Sequence, residues 1–122
     1  MKKGRFISLA IITAVGAAFL FSAEIKIDLS NPKASIATQF ELLKASKTAA
    51  LRECFTDRLK ESITDQSVAK GKAEASSYTL ADLVHKVEMG KGSAKIKMKN
   101  GRTLTVLIEK NGKWYADTIW FR

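Results

Sequence analysis

Residues 98–117 read MKNGRTLTVLIEKNGKWYAD, and the way this stretch turns back on itself decides the fold. Lys99-Asn100-Gly101-Arg102 returns eleven positions later as Lys110-Asn111-Gly112-Lys113. Each Asn-Gly pair separates two alternating apolar runs, a strong short-range hairpin signal. The apolar pattern selects the loop length. A two-residue loop at Asn100-Gly101 sets Met98 opposite Thr103 and Lys97 opposite Leu104, which mixes polar and apolar residues on both faces. A three-residue loop over 99–101 sets Met98 opposite Arg102, Ile96 opposite Leu104 and Ala94 opposite Val106, leaving one apolar face. The same choice over 110–112 sets Ile108 opposite Trp114 and Val106 opposite Ala116. The reading is two type I turns, each closed by a G1 bulge with its glycine left-handed.

That register predicts a meander with Ile96, Leu104, Val106, Ile108, Trp114, Ala116 and Trp120 facing inward. Its outer face then carries Leu107, Tyr115, Ile119 and Phe121 among Thr103, Thr105 and Asp117. A half-apolar outer face on a small sheet calls for a cover. A second copy of the chain, making a homodimer, or the N-terminal segment would supply it.

Upstream, the period is helical. Asn31 suits an N-cap and Pro32 the first helical position, and Ile36, Phe40 and Leu43 follow on one stripe, predicting a helix over about 32–45. A second helix starts near Thr48 and carries Leu51, Cys54 and Phe55 inward. Thr56-Asp57 reads as a fresh cap, with Leu59 and Ile63 as the stripe of a third helix. Residues 67–77 (SVAKGKAEASS) read as a loop or frayed end, and 79–83 as one further helical turn. Residues 24–29 alternate as a short strand or extended linker. From Val84 the period changes to 2. Helices first and strands afterwards make an α+β domain, N-terminal helices packed on a curved antiparallel meander.

The N-terminus stands apart. A basic leader, Lys2, Lys3 and Arg5, precedes eighteen uncharged residues, 6–23 (FISLAIITAVGAAFLFSA). This is an export pattern, with the basic residues left on the cytoplasmic side. Both a cleaved signal peptide and a retained membrane anchor fit it. The only cysteine, Cys54, is too distant for a lipoprotein, and Leu9 stands where a prepilin-like leader wants Glu. The expected organisation is 1–23 signal or anchor, 24–31 linker and 32–122 domain, on the periplasmic or extracellular side. Of the 21 basic residues, 18 lie beyond the leader against 12 acidic, a formal charge of +6. Export turns that excess away from nucleic acid and towards lipid headgroups or acidic polymers. One cysteine supplies no internal disulfide.

Asn31-Pro32 with Phe40 and Leu43, then Leu51, Phe55 and Thr56, then Asn100-Gly101 and finally Asn111-Gly112-Lys113-Trp114-Tyr115 together resemble one family. The chain is similar over about 30–121 to the cystatin-like α+β cone of the nuclear transport factor two-like superfamily, and within it to small bacterial envelope proteins of unknown function. In those proteins the last strands commonly end in a "dGkWk" turn. The resemblance implies a cone-like fold and leaves activity open, because that fold hosts enzymes, binders and scaffolds. Enzymes of the superfamily place acids, His or Tyr inside the cone, but no motif of theirs carries over residue by residue.

Candidate sites follow from the residues themselves. His85, the single histidine, shares a face with Val87, Met89, Ile96 and Met98 if 90–93 form a four-residue turn, which would line the concave side with a base or ligand. The plainer reading is a hydrogen-bonded histidine near a strand end. Asp57 is either a cone-mouth base or a helix-start acid, and Tyr78 leans over a pocket or covers the helices. Cys54 reads as a buried small hydrophobe. Lys95, Lys97 and Lys99, extended by Arg102, form a basic row that would hold an anionic polymer or headgroups, or simply keep an exposed strand soluble. No metal-ligand spacing and no cofactor motif are present. The expectation is an exported, non-enzymatic binding or assembly module. A small-ligand carrier or enzyme using the cone interior, and a polyanion or headgroup binder using the lysine row, are the alternatives.

Overall fold

Asn31 opens the helical layer. In the computed structural model, which describes residues 25–121, its carboxamide oxygen accepts the Ala34 amide at 2.8 Å and Pro32 takes the first helical position. Helix α1 (Pro32–Lys44) buries Ile36, Phe40 and Leu43, the expected stripe. Ser46 then turns left-handed (φ 58°), and the Ser46 and Lys47 amides close the helix on the Leu43 and Leu42 carbonyls. Helix α2 (Thr48–Arg52) is short; Leu51, Cys54 and Phe55 are all buried.

The next segment departs from expectation. Asp57–Ser62 is a 3-10 helix that buries no residue, and Ile63 is buried in the connector after it. Residues 67–75, expected as loop, belong to helix α3 (Asp65–Ala75). Its start is a capping box: the Ser67 amide donates to the Thr64 hydroxyl at 3.2 Å and the Thr64 amide to the Ser67 hydroxyl at 2.9 Å. Its inward stripe is Val68, Gly71 and Ala75, side chains too small to show as apolar periodicity. Gly71 is required there, because a Cβ would collide with the backbone and ring of Phe121. Helix α4 (Leu80–Leu83) is the single turn expected, capped by Thr79 and Asp82.

Four strands, β1 (Lys86–Met89), β2 (Ser93–Lys97), β3 (Thr103–Lys110) and β4 (Lys113–Ala116), form one antiparallel sheet in sequence order. Helices followed by such a sheet are the α+β architecture the sequence implies. Val87 pairs with Ile96 and Met89 with Ala94, the register of a four-residue turn over 90–93.

The first Asn-Gly turn is as read. The Met98 amide donates to the Arg102 carbonyl at 2.7 Å across three residues, and Gly101 is left-handed (φ 89°). Two features overturn what was built on it. Strand β3 carries an extra residue at Leu104, so that Ile96 pairs with Thr105 and Lys97 with Thr103. That bulge slips β3 by one position, and a one-residue slip exchanges the faces. The second turn is a two-residue loop: Lys110 pairs with Lys113, and Asn111 (φ 55°) and Gly112 (φ 80°) are both left-handed, the type I′ geometry. Leu107, not Val106, therefore pairs with Ala116.

The inward rows are Ala94, Ile96, Thr105, Leu107 and Ala116, at 0–2% exposure. Val106 and Ile108, expected inside, lie half-buried on the other face. Leu107 (0%) and Phe121 (2%), expected on an outer face open to a partner, are core residues. Thr105 is tolerated inside because its hydroxyl lies 2.6 Å from that of Thr118.

Both flanks of the chain close onto β4. The Trp114 amide donates to the Leu29 carbonyl and the Ala116 amide to the Cys54 carbonyl, each at 2.9 Å. Leu29, from the expected linker, joins the core at 8% exposure. The remaining edge, β1, is short and carries Lys86 and Glu88, which blunts it against further pairing. The signal or anchor expected at 1–23 lies outside the described residues. Among the described residues no helix is long and apolar enough to cross a membrane.

The register has a direct stability readout. Leu107→Ala should cost about 2–4 kcal/mol in urea denaturation, while Val106→Ala should cost less than about 1 kcal/mol. The opposite order would restore the three-residue second turn.

Candidate functional site

Small residues on α3 leave room beside the sheet. Where α3 and α4 face the β2–β3 turn, an open cleft of about 230 Å3 forms. Its floor is Leu83, Met98, Leu104, Trp120 and Phe121. The bulge brings Leu104 to this floor, and the segment after β4 supplies Trp120 and Phe121. Glu74, Tyr78, Asn100 and Arg102 add polar groups around it. The turn that holds Arg102 is pinned: the Lys99 amide donates to the Asp82 carbonyl, and the Arg102 amide to the Asn100 side-chain oxygen, each at 2.9 Å. A more open depression of about 320 Å3 shares Tyr78, Met98 and Asn100 and runs on past Asp82 and Lys99.

Hydrogen bonds centred on the buried Gln39 hold the floor in place. The Trp120 indole donates to the Gln39 side-chain oxygen at 2.7 Å, the Gln39 amide donates to the Ser35 hydroxyl at 3.0 Å, and Ser35 donates to the Trp114 carbonyl at 2.8 Å. Phe121 meets Phe55 and Trp120 edge to face, with ring centroids 5.7 and 5.3 Å apart. Gln39 was not among the candidate residues. Its signal was a polar side chain three residues after Ile36, inside an otherwise apolar stripe.

The three catalytic candidates do not converge. Tyr78, 41% exposed, lines the first cleft. Asp57 lines a separate cleft of about 210 Å3, with Lys60, Ile108 and Tyr115. The hydrogen bond and charge of Lys60, 3.0 Å away, hold the Asp57 carboxyl below its ordinary range, aided by Lys110. That favours a solvated carboxylate over a proton acceptor. His85 is exposed at the entrance to β1 and lines none of these three clefts.

The basic row also divides. Lys95 and Lys97 belong to β2, whereas Arg102 lines the cleft and Lys99 its continuation. Of the expected interface set, Tyr115 and Ile119 are half-buried and only Leu107 and Phe121 are lost to the core. Asp117 acts as a strut. Burial opposes its ionisation, but the Thr56 hydroxyl at 2.8 Å and the Arg58 guanidinium at 3.2 Å outweigh that and lower its pKa. Among the described residues no group of three or more His, Cys, Asp or Glu is placed to hold a metal ion.

Comparisons of the chain with protein-family models, with curated proteins and with solved structures find no match.

Cys54 is fully buried, and burial, with a smaller contribution from the Glu53 charge, pushes its thiol from 9.0 up to about 12. Because the folded pKa is the higher one, the thiol's contribution to stability is complete below about 9 and is lost as pH rises from there towards about 12. Alkylation by iodoacetamide at pH 8 should therefore proceed only on unfolding, with Cys54 unlabelled in the native protein. Rapid labelling without denaturant would contradict this burial.

Proposed function

We propose that this chain is an exported, non-enzymatic binding domain that takes an apolar side chain of a partner protein into the cleft floored by Trp120 and Leu104. The observation that carries this reading is the size and form of the cleft. The cleft, at about 230 Å3, falls below the roughly 300 Å3 at which small-molecule sites begin, and the adjoining depression of about 320 Å3 is more open still and encloses less. It suits one aromatic or aliphatic anchor of the kind that dominates protein interfaces. The adjoining depression along Tyr78, Met98 and Asn100 extends the surface in the direction an attached polypeptide would take.

Two further observations support the reading. Ile36, Phe40, Phe55, Leu107 and Phe121 fill the space between helices and sheet at 0–4% exposure, which disfavours a carrier or enzyme working from the interior. The acid, imidazole and phenol that such an enzyme would need lie apart. The basic leader and uncharged run at 2–23 support export, and the helices followed by a bulged meander suit the cone-like fold of the superfamily the sequence resembles.

Side-chain analogues supply the test. N-acetyl-tryptophanamide or N-acetyl-leucinamide at millimolar concentration should shift the amide resonances of Gly71, Met98 and Leu104 and the Trp120 indole. Leu104→Asp should remove those shifts. Perturbation centred on Ile36, Phe40 and Leu43 would favour an interior ligand, and shifts scattered over the surface would remove the cleft as a site.

A further inference from the structure

Strand pairing sorts the outer face of the sheet into rows, since residues paired across a ladder share a face. Lys86, Lys97 and Thr103 form one row, and Glu88, Lys95 and Val106 the next. Ser93, Ile108 and Tyr115 form the third, and Lys110 and Lys113 the last. Lys86, Lys95, Lys97, Lys110 and Lys113 thus share one face with Glu88, while Glu53 and Asp57 flank it beside Ile108, Lys110 and Tyr115. Asp117, whose amide bonds the Val106 carbonyl, extends the second row, but its carboxylate is already held by Thr56 and Arg58. Of the five lysines only Lys86 makes an ion pair among the described residues, with Glu88 at 3.9 Å.

Between these lysines runs an apolar spine. Val106 and Ile108 are half-buried, Tyr115 lies beside Ile108, and Thr56, Asp57 and Lys60 border the Ile108–Tyr115 end of the face. Lysines that merely keep a strand soluble require no such spine, and a soluble polyanion would be satisfied by the ammonium groups alone. Long lysine stems along apolar surface, with cationic heads reaching outward and a tyrosine at their edge, match a phospholipid interface. The excess of lysines over acids on this face adds attraction for anionic headgroups over about a Debye length.

We infer that the outer face of the sheet docks on an anionic phospholipid bilayer. The five lysines meet the phosphates, and Val106 and Ile108 lie towards the boundary between headgroups and acyl chains. This surface is distinct from the Trp120 cleft and stands or falls separately from it. The uncharged run at 6–23 would place the domain beside a bilayer, but the charge map does not depend on it.

The full chain, carrying an environment-sensitive nitrobenzoxadiazole label on Ser93→Cys, tests this directly. Cys54 is buried and stays unlabelled. On vesicles of 70% phosphatidylcholine and 30% phosphatidylglycerol, emission should rise at least about twofold and shift to the blue relative to pure phosphatidylcholine. About 0.5 M salt should reverse the change. Replacing the five lysines by Gln should abolish it, whereas replacing them by Arg should preserve it. A label on Glu41→Cys, in α1, should not respond. Equal emission on the two vesicle types, a response surviving the Gln set, or an equal response at position 41 would overturn the inference. Docking unchanged after Val106→Ser and Ile108→Ser together would overturn the placement of the apolar spine at the boundary between headgroups and acyl chains.

Discussion

The Trp120 indole and the Gln39 carboxamide meet at 2.7 Å inside the molecule, and the placement of everything after β4 follows from that bond. Gln39 is fully buried, so an orphaned amide there would cost about 1–3 kcal/mol. Its oxygen is satisfied by Trp120, and its nitrogen by a hydroxyl that is itself committed to the Trp114 carbonyl. The relay ties α1 to β4 and to the segment 117–121 together. With Trp120 placed, Phe121 falls between Phe55 and Gly71, and Thr118 comes within reach of Thr105.

This closing segment also explains why a threonine can be interior while a valine beside it is not. Thr105 inside would be expensive if its hydroxyl had no partner. Thr118 supplies one, and the bulge at Leu104 can then turn Thr105 and Leu107 inward. The bulge also brings Leu104 to the floor of the cleft, beside Trp120. One extra residue in β3 thus sets the core face, the cleft and the basic outer face together.

Much of this was legible in the sequence and some was not, for identifiable reasons. Asn31-Pro32 and the large stripe of α1 carry their own signals, as does the three-residue turn ending at Gly101. Helix α3 was hidden because its packing face is Val68, Gly71 and Ala75, and the need for Gly71 arises from Phe121, fifty residues away in the chain. At the second hairpin, Asn-Gly's own preference for a two-residue type I′ loop overrides the apolar parity that favours three residues. The three-residue register puts Thr105 and Leu107 outside together, whereas the bulge at Leu104 and the Thr118 hydroxyl let both turn inward. The residues of the cleft were individually visible, but their convergence depends on a bulge and a buried amide relay that no local pattern encodes.

The most direct measurement of the central claim is a double-mutant cycle between Gln39→Leu and Trp120→Phe, read by urea denaturation. If the indole and amide support each other, the double variant should be less destabilised than the sum of the singles by at least about 1 kcal/mol. Additivity within about 0.3 kcal/mol would show that the two side chains act independently. The closing segment would then have to be held by something other than this bond.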